Sequence, residues 1–334
     1  MVICNVQYYY RCKLMMKAAS RGAAFILSDA EQKHCKTKNK YKHKPKTYKT
    51  MTTKNKFLAF GLIAALAMCN AKVQADAPSV PVILTAGQSN ADGRVPIADL
   101  PDYVDFHLCQ WSYGSGDFAS ATGHFSPFSP HVAKPGIEGS WGFDAIVYHL
   151  LGQCWQRPFY VIKQTMGGTS IDTSCQSTHG WHWSVDAEQK SLLKALCRQI
   201  DDCVQQLPPD YEIKCLLWHQ GESDRAAADR YHDNLKAVVD HVRRHLVETT
   251  GRKEYATLPV VCATYSDNSR QKSDKIVAAL LDMQREDGNF HVVDASDLSL
   301  LPDRLHFDAE GAERLAGRIF AKMQEIGIAG NCKP

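Results

Sequence analysis

The sequence predicts a three-layer α/β fold, in which a doubly wound, mostly parallel five-stranded sheet lies between helices. From residue 80 onward, short apolar runs alternate with amphipathic ones. The apolar runs are mostly continuous in hydrophobicity, which is typical of parallel strands that are buried on both faces. Alternating strands and helices favour right-handed crossovers in a single sheet. Ligands of such sheets bind beyond the carboxyl ends of the strands, so functional residues are expected directly after each strand.

The elements follow one another in a regular order along the chain. The predicted strands are 80–86, 159–165, 213–219, 258–264 and 290–295. Apolar residues at helical spacing predict a helix around Phe143–Leu151 and another around Leu192–Ile200, with further helices near 226–248, 270–286 and 309–326. Asp308 is placed to cap the last helix. The Gly-, Ser-, Pro- and aromatic-rich stretch from about Asp102 to Ser140 is expected to be irregular.

Charge divides the chain into a basic leader and an acidic body. Residues 1–75 contain 15 Lys and Arg against 2 Asp and Glu, whereas the remaining 259 residues contain 24 against 34. An acidic body makes nucleic acid an unsuitable partner. Residues 76–334 are long enough for one α/β domain with a full core.

The leader has the three parts of a secretory signal peptide if Met51 is the start. Lys54 and Lys56 precede an apolar run, Phe57–Cys69, and Val73-Gln74-Ala75 forms a small-residue cleavage site. We therefore expect residues 51–75 to be a signal peptide, and the protein to be secreted or periplasmic. A transmembrane anchor and a lipoprotein joined through Cys69 are the alternatives. Residues 1–50 are expected to be a non-native upstream extension or a disordered basic tail.

Eight of the twelve cysteines lie in the predicted mature domain, where an oxidising compartment permits disulfides. The sequence does not select a pairing. Cys215 and Cys262 lie within apolar strands, so we expect both to be buried free thiols.

Two candidate sites follow the first two strands. Ser89, in "GQSNADG", is a candidate nucleophile, although a serine in a turn is more often a structural residue. In "TMGGTS", 165–170, two glycines can bring backbone N–H groups close to a ligand, or form a plain tight turn.

Two further candidate sites follow later strands. In "WHQGESD", 218–224, Gln220 offers an amide donor and Glu222 an acceptor, although an exposed loop or helix cap has the same composition. In "LPDRLHFDAEG", 301–311, Asp303 and His306 are three residues apart. In a turn, Asp303 can accept Nδ1–H from His306, which leaves Nε2 free to act as a base.

Together and in this order, the four stretches resemble the SGNH hydrolase superfamily, whose sheet is flavodoxin-like. Within it the chain is similar to the sialate O-acetylesterase branch that includes the family six carbohydrate esterases, notably acetylxylan esterases. The resemblance covers roughly residues 80–327. It implies that Ser89 is the nucleophile, that the N–H groups of Ser89 and Gly168 and the Gln220 side chain form the oxyanion hole, and that His306 is the base. It also implies that Asp303 orients His306 and that Glu222 is a second acidic partner.

The sequence thus predicts a secreted serine esterase that removes O-acetyl groups from carbohydrate without a cofactor. Acetylated xylan is the favoured substrate and O-acetyl sialic acid the alternative; an inactive carbohydrate-binding protein is the alternative from another class. Stable insertion in a membrane is not expected after removal of the signal. Four aromatic residues in predicted loops either stack on sugar rings or pack in the core: Trp111, Tyr113, Trp181 and Trp183.

Other enzyme classes fit the sequence poorly. Ala91 stands where the G-x-S-x-G pattern of an α/β-hydrolase requires glycine, and the P-loop pattern is absent. H-E-x-x-H and C-x-x-C patterns for zinc are also absent. His241 and His245 stand four apart but lack a third ligand, so no metal site is predicted.

Overall fold

Alternation of side chains along the first strand decides how the layers of the protein pack. A computed structural model describes residues 79–116, 122–130 and 139–332, all within one compact unit, Ala75–Pro334. The predicted extension (1–50) and signal peptide (51–75) lie outside the described residues. Val82, Leu84 and Ala86 enter one hydrophobic core, whereas Ile83 enters the other. The central strand is therefore buried on both faces.

The strands and helices follow the predicted alternation. The strands are β1 Val80–Gly87, β2 Val95–Pro96, β3 Cys109–Gly114, β4 Ser126–Pro127, β5 Ser140–Trp141, β6 Phe159–Thr165, β7 Tyr211–His219, β8 Val260–Ala263 and β9 Phe290–Val293. The α-helices are α1 Ser89–Asp92, α2 Phe143–Trp155, α3 Leu192–Val204, α4 Tyr231–Thr250, α5 Asp274–Glu286 and α6 Ala309–Glu325. A 3₁₀ segment, Glu222–Arg230, precedes α4.

The main sheet has seven strands in the order β4-β3-β6-β1-β7-β8-β9, and only β4 runs antiparallel to its neighbour. Helices α3, α4 and α5 cover one face, and α2 and α6 cover the other. The predicted fold class is confirmed, but the count of five strands is wrong. The sheet extends beyond β6 through β3 and β4, which lie inside the stretch that was expected to be irregular. The short pair of β2 and β5 forms a separate two-stranded sheet.

The predicted helix cap and the two predicted buried thiols are present in the structure. The Asp308 carboxylate accepts a hydrogen bond of 2.8 Å from Gly311 N–H at the start of α6, which confirms the predicted cap. Cys215 and Cys262 are buried free thiols, as predicted. A disulfide joins Cys154, in the last turn of α2, to Cys332. Within the described ranges, no helix combines the length and apolar character that crossing a membrane requires.

Candidate active site

The carboxyl ends of three neighbouring strands form the floor of the site. The register pairs Gly87 of β1 with Thr165 of β6 and with His219 of β7, so the three strands end at the same level. Gly87 has a φ of +143° and packs against the His219 backbone, where a side chain would collide. Gln88 N–H donates to the His219 carbonyl at 2.9 Å. The chain therefore turns sharply at Gly87 and begins α1 at Ser89.

Ser89 lies beside the glycine block that follows β6. Its side chain is almost buried, with 4% of the residue exposed. A Cβ on Gly167 would lie 3.3 Å from Ser89 Cβ, so the Gly167 backbone lies directly beside the serine side chain. Gly168, the predicted oxyanion donor, is next in the chain, and its carbonyl accepts a bond of 2.9 Å from Thr178 N–H. The structure thus brings the nucleophile and glycine blocks together.

His306 and Asp303 form a hydrogen-bonded pair within one tight turn. His306 Nδ1 lies 2.6 Å from Asp303 Oδ2. The other carboxylate oxygen, Oδ1, accepts from Leu305 N–H at 2.9 Å and from His306 N–H at 3.1 Å. Because Asp303 is an acceptor, the hydrogen-bond network assigns the proton to Nδ1 and leaves Nε2 as the basic nitrogen.

Asn90 joins this turn to the serine segment. Its Oδ1 accepts from Phe307 N–H at 3.1 Å, and its Nδ2 donates to the Leu305 carbonyl at 3.3 Å. These two bonds flank His306 on both sides, and Asn90 directly follows Ser89. The structure therefore brings the two predicted catalytic segments to one place, although Ser89 and His306 are 217 positions apart in the sequence.

Burial and charge together set the basicity of His306. Burial lowers the pKa of its imidazole, and the Asp303 carboxylate opposes that effect without cancelling it. The positive charge of Arg94 lowers the pKa further, whereas Glu222 raises it slightly. The pKa of the His306 imidazole therefore lies below its usual value near 6.5, and the ring is neutral at neutral pH.

Arg94 is a site residue that the sequence reasoning missed. Its Nη1 donates to Asp92 Oδ2 at 2.8 Å and to the Gly93 carbonyl at 2.6 Å, and its guanidinium packs against Gly167. Five residues after Ser89, it returns to the site because α1 is a single turn long. Its basic charge so close to a candidate nucleophile was the available signal.

Glu222 lies beneath the site and contacts a different histidine from the predicted one. Its Oε1 accepts from Asn90 Nδ2 at 2.9 Å and lies 3.5 Å from His219 Nε2. Burial alone would raise the pKa of Glu222, but His219 and the bond from Asn90 outweigh burial and lower it. The carboxylate thus bonds the residue that holds the His306 turn, whereas His306 itself is paired with Asp303.

Gln220, the third predicted oxyanion donor, is engaged inside the protein. Its Nε2 donates to the Thr169 carbonyl at 2.9 Å, to Asp224 Oδ2 at 2.5 Å and to Gln88 Oε1 at 3.2 Å. Two N–H groups therefore already serve three acceptors, and Gln220 holds three loops together in this conformation. Its direct role toward an oxyanion stays a prediction.

The aromatic residues proposed to stack on sugar are buried. Trp111 and Tyr113 lie in β3 rather than in a loop, with 5% and 0% of each residue exposed, so that placement was wrong. Trp183 is fully buried and packs edge-on against Trp218, with 5.1 Å between ring centroids. Trp181 is 9% exposed. A buried ring offers no face to a sugar, so the structure does not support the predicted stacking role.

A polar cavity of about 480 Å³ opens beside the glycine block. Gly168 and Glu222 contribute to its wall, which also includes Ser177, Thr178, His179 and Arg225. These side chains can form hydrogen bonds with hydroxyl groups or with an anionic group.

Among the described residues, no cluster of three or more His, Cys, Asp and Glu side chains could hold a metal ion. His245 instead bonds Asp201 at 2.8 Å.

Comparisons with known proteins identify a family and a shared fold. A family model described as carbohydrate esterase, sialic acid-specific acetylesterase, matches residues 79–325. A solved structure of an Arabidopsis thaliana protein aligns over 74% of this chain and 99% of its own, with a TM-score of 0.54 and 18% identity. That of NanS aligns over 75% and 98%, with a TM-score of 0.54 and 14% identity. A comparison with the curated proteins gives no match. The two structures share the three-layer fold.

Proposed function

The chain belongs to the sialic acid-specific acetylesterase family of carbohydrate esterases, and from that membership we propose that it removes O-acetyl groups from sugars through an acyl-enzyme formed on Ser89. The family makes the protein a carboxylic ester hydrolase. The observation that carries the assignment of residues is the paired hydrogen bonding of Asn90 to Leu305 and Phe307, which holds the Asp303–His306 pair beside the serine segment.

In the proposed reaction, His306 Nε2 accepts the Ser89 proton while Ser89 Oγ attacks the acetyl carbonyl carbon. The N–H groups of Ser89 and Gly168 are proposed to stabilise the oxyanion, and loss of one such donor typically costs about 3 kcal/mol in the transition state. His306 then gives its proton to the departing sugar oxygen, leaving an acetyl ester on Ser89. Water, deprotonated by His306, hydrolyses that ester and releases acetate.

The direct test of this proposal is Ser89→Ala in the purified protein. Release of acetate from an activated acetate ester should fall by more than about a thousandfold, because no other group supplies the nucleophile. Ser296→Ala, which removes a hydroxyl bonded to Asp294, should leave turnover unchanged. If the wild-type protein binds acetylated sugar but releases no acetate, the inactive carbohydrate-binding alternative is correct.

Cationic side chains around the site favour an acidic sugar over neutral xylan as the substrate. Arg94 packs beside Gly167, and Arg225 is part of the cavity wall. A sialic acid carboxylate could pair with either guanidinium, whereas xylose carries no charge. We expect acetate release from O-acetyl sialic acid to exceed that from acetylated xylan. Arg225→Ala should raise KM for the acidic substrate only; equal effects on both substrates would contradict this preference.

Export of the enzyme is also part of the proposal. The leader that begins at Met51 and the disulfide between Cys154 and Cys332 support it, since disulfides form in oxidising compartments. Expressed from Met51, the exported protein should have an intact mass that corresponds to residues 76–334. A lipid-modified product beginning at Cys69 would indicate the lipoprotein alternative, and an uncleaved product the anchor.

A further inference from the structure

The Asn90 side chain uses its carbonyl oxygen and its amino group to hold one turn from both ends. Oδ1 accepts from Phe307 N–H at 3.1 Å, and Nδ2 donates to the Leu305 carbonyl at 3.3 Å. These are the two neighbours of His306. Asn90 itself is only 6% exposed. The position of the imidazole relative to Ser89 therefore depends on one amide group.

Glu222 reinforces the orientation of that amide. The second N–H of Asn90 Nδ2 points to Glu222 Oε1 at 2.9 Å. If the amide were rotated by half a turn, its carbonyl oxygen would face the carboxylate and its amino group would face the Phe307 N–H. Both contacts would then be repulsive. A buried carboxylate at this position thus permits only the orientation that holds the His306 turn.

Glu222 is itself buried, with 2% of the residue exposed. The His219 ring lies beside it and is enclosed by Phe143, Tyr265 and Phe307, with ring centroids 5.7 to 5.8 Å apart. Glu222 Oε2 has no hydrogen-bond partner among the described residues. The Glu222 carboxylate therefore makes a shorter contact with Asn90 Nδ2, at 2.9 Å, than with His219 Nε2, at 3.5 Å.

We propose that Asn90 and Glu222 form a positioning pair for His306: Asn90 fixes the turn that carries the imidazole, and Glu222 positions that turn by holding the Asn90 amide. This inference rests on the proposed esterase function. It differs from a role for Glu222 as a second acidic partner of the imidazole, because the carboxylate acts through the Asn90 amide and the backbone of residues 305–307.

A double-mutant cycle tests whether Glu222 acts through Asn90. Asn90→Ala and Glu222→Ala should each lower kcat on an activated acetate ester roughly tenfold to a hundredfold, with KM little changed, because a small misplacement of the base is costly. The double variant should be no slower than Asn90→Ala. Glu222→Gln should recover most of the lost kcat, since an amide oxygen can still accept from Asn90. Asn289→Ala is the matched control, because Asn289 precedes the amino end of β9, whereas the His306 turn follows its carboxyl end.

The opposite outcomes would overturn the proposal. If Glu222→Ala lowers kcat by the same factor in the Asn90→Ala background as in the wild type, Glu222 acts independently of Asn90. If Glu222→Gln is as slow as Glu222→Ala, the carboxylate charge matters and not its orienting contact.

Hydrogen exchange supplies a readout that does not require activity. Glu222 makes no hydrogen bond to Phe307 among the described contacts, yet Phe307 N–H should exchange faster in Glu222→Ala because the Asn90 amide is released. Unchanged exchange would overturn the pair even if Asn90→Ala fails to fold. If wild-type protein releases no acetate, the esterase proposal fails, and the exchange experiment still decides the positioning role.

Discussion

At the scale of single residues, the protonation of His306 should control the acid limb of activity. Only the neutral imidazole accepts the Ser89 proton, so activity is lost as the pH falls through the His306 pKa. Burial, aided by Arg94, lowers that pKa below 6.5 despite Asp303. We therefore expect the acid midpoint of kcat/KM, measured on an activated acetate ester, to lie below 6.5. A midpoint above that value would contradict the proposed base or its environment.

Asp303 should matter through charge more than through stability. Asp303→Asn keeps the shape of the side chain but removes the charge that stabilises the imidazolium, so kcat should fall by about a thousandfold or more. The acid midpoint should move to lower pH, because the carboxylate raises the His306 pKa. Since Asp303 is partly exposed, denaturant unfolding should change little. An unchanged kcat in Asp303→Asn would show that the Asp303 carboxylate is not the acidic partner that orients His306.

At the scale of elements, the four-residue helix α1 depends on contacts beyond itself. It has no side-chain N-cap. Its last residue, Asp92, is buried and accepts from Arg94 at 2.8 Å, from Tyr113 Oη at 2.9 Å and from Thr165 Oγ1 at 2.8 Å. These bonds tie α1 to β3 and β6. The position of Ser89 is therefore set by the sheet and not by helix propensity.

Removing that anchor should destabilise the whole domain. Asp92→Ala removes a buried carboxylate that accepts from Tyr113, Thr165 and Arg94, and we expect the free energy of unfolding to fall by about 3 kcal/mol. Asp92→Asn, which retains one acceptor oxygen, should lose less. Chemical denaturation measures both, with the exposed Asp99→Ala as the control. Equal stability of Asp92→Ala and wild type would show that α1 is held by other contacts.

A strand could be predicted from the sequence where its buried positions are occupied by apolar residues. Strands β1, β6, β7, β8 and β9 could be predicted because each contains a largely continuous apolar run. Strand β3 was missed because Gln110 and Ser112 interrupt its hydrophobicity. Ser112 is nevertheless fully buried and accepts from the Gln199 amide at 3.0 Å. A polar residue whose partner lies 87 positions away carries no local signal.

The same limit applies to the site. Ser89, Asp303 and His306 could be proposed as site residues because each occurs in a recognisable local pattern directly after a predicted strand or within one turn. Asn90 lies within the serine pattern, but its bonds reach residues 215 and 217 positions away. Its role depends on the tertiary fold, which local patterns do not encode.

At the scale of the whole molecule, strand order explains why distant patterns converge. β1 lies between β6 and β7. The connection after β1 leads to β3 on one side and the connection after β7 leads to β8 on the other, so a crevice opens between the carboxyl ends of β1 and β7. The segments after β1, β6 and β7 meet there directly. The His306 turn follows β9 at the edge of the sheet, three strands away from β1. The Asn90 side chain joins this turn to the segment that follows β1.

The disulfide stabilises the opposite end of this architecture from the site. It joins the last turn of α2 to the tail after α6, and the two helices pack together on one face of the sheet. The bridge closes a loop between residues 178 positions apart, so its removal should cost about 2–4 kcal/mol of unfolding free energy. Cys154→Ser, Cys332→Ser and the double variant should be equally destabilised, because each opens the same bridge. Reductant should lower the stability of the wild type only, and kcat should be unchanged in all of them. If reductant leaves the wild-type unfolding curve unchanged, the bridge contributes nothing and α2 and α6 are held by packing alone.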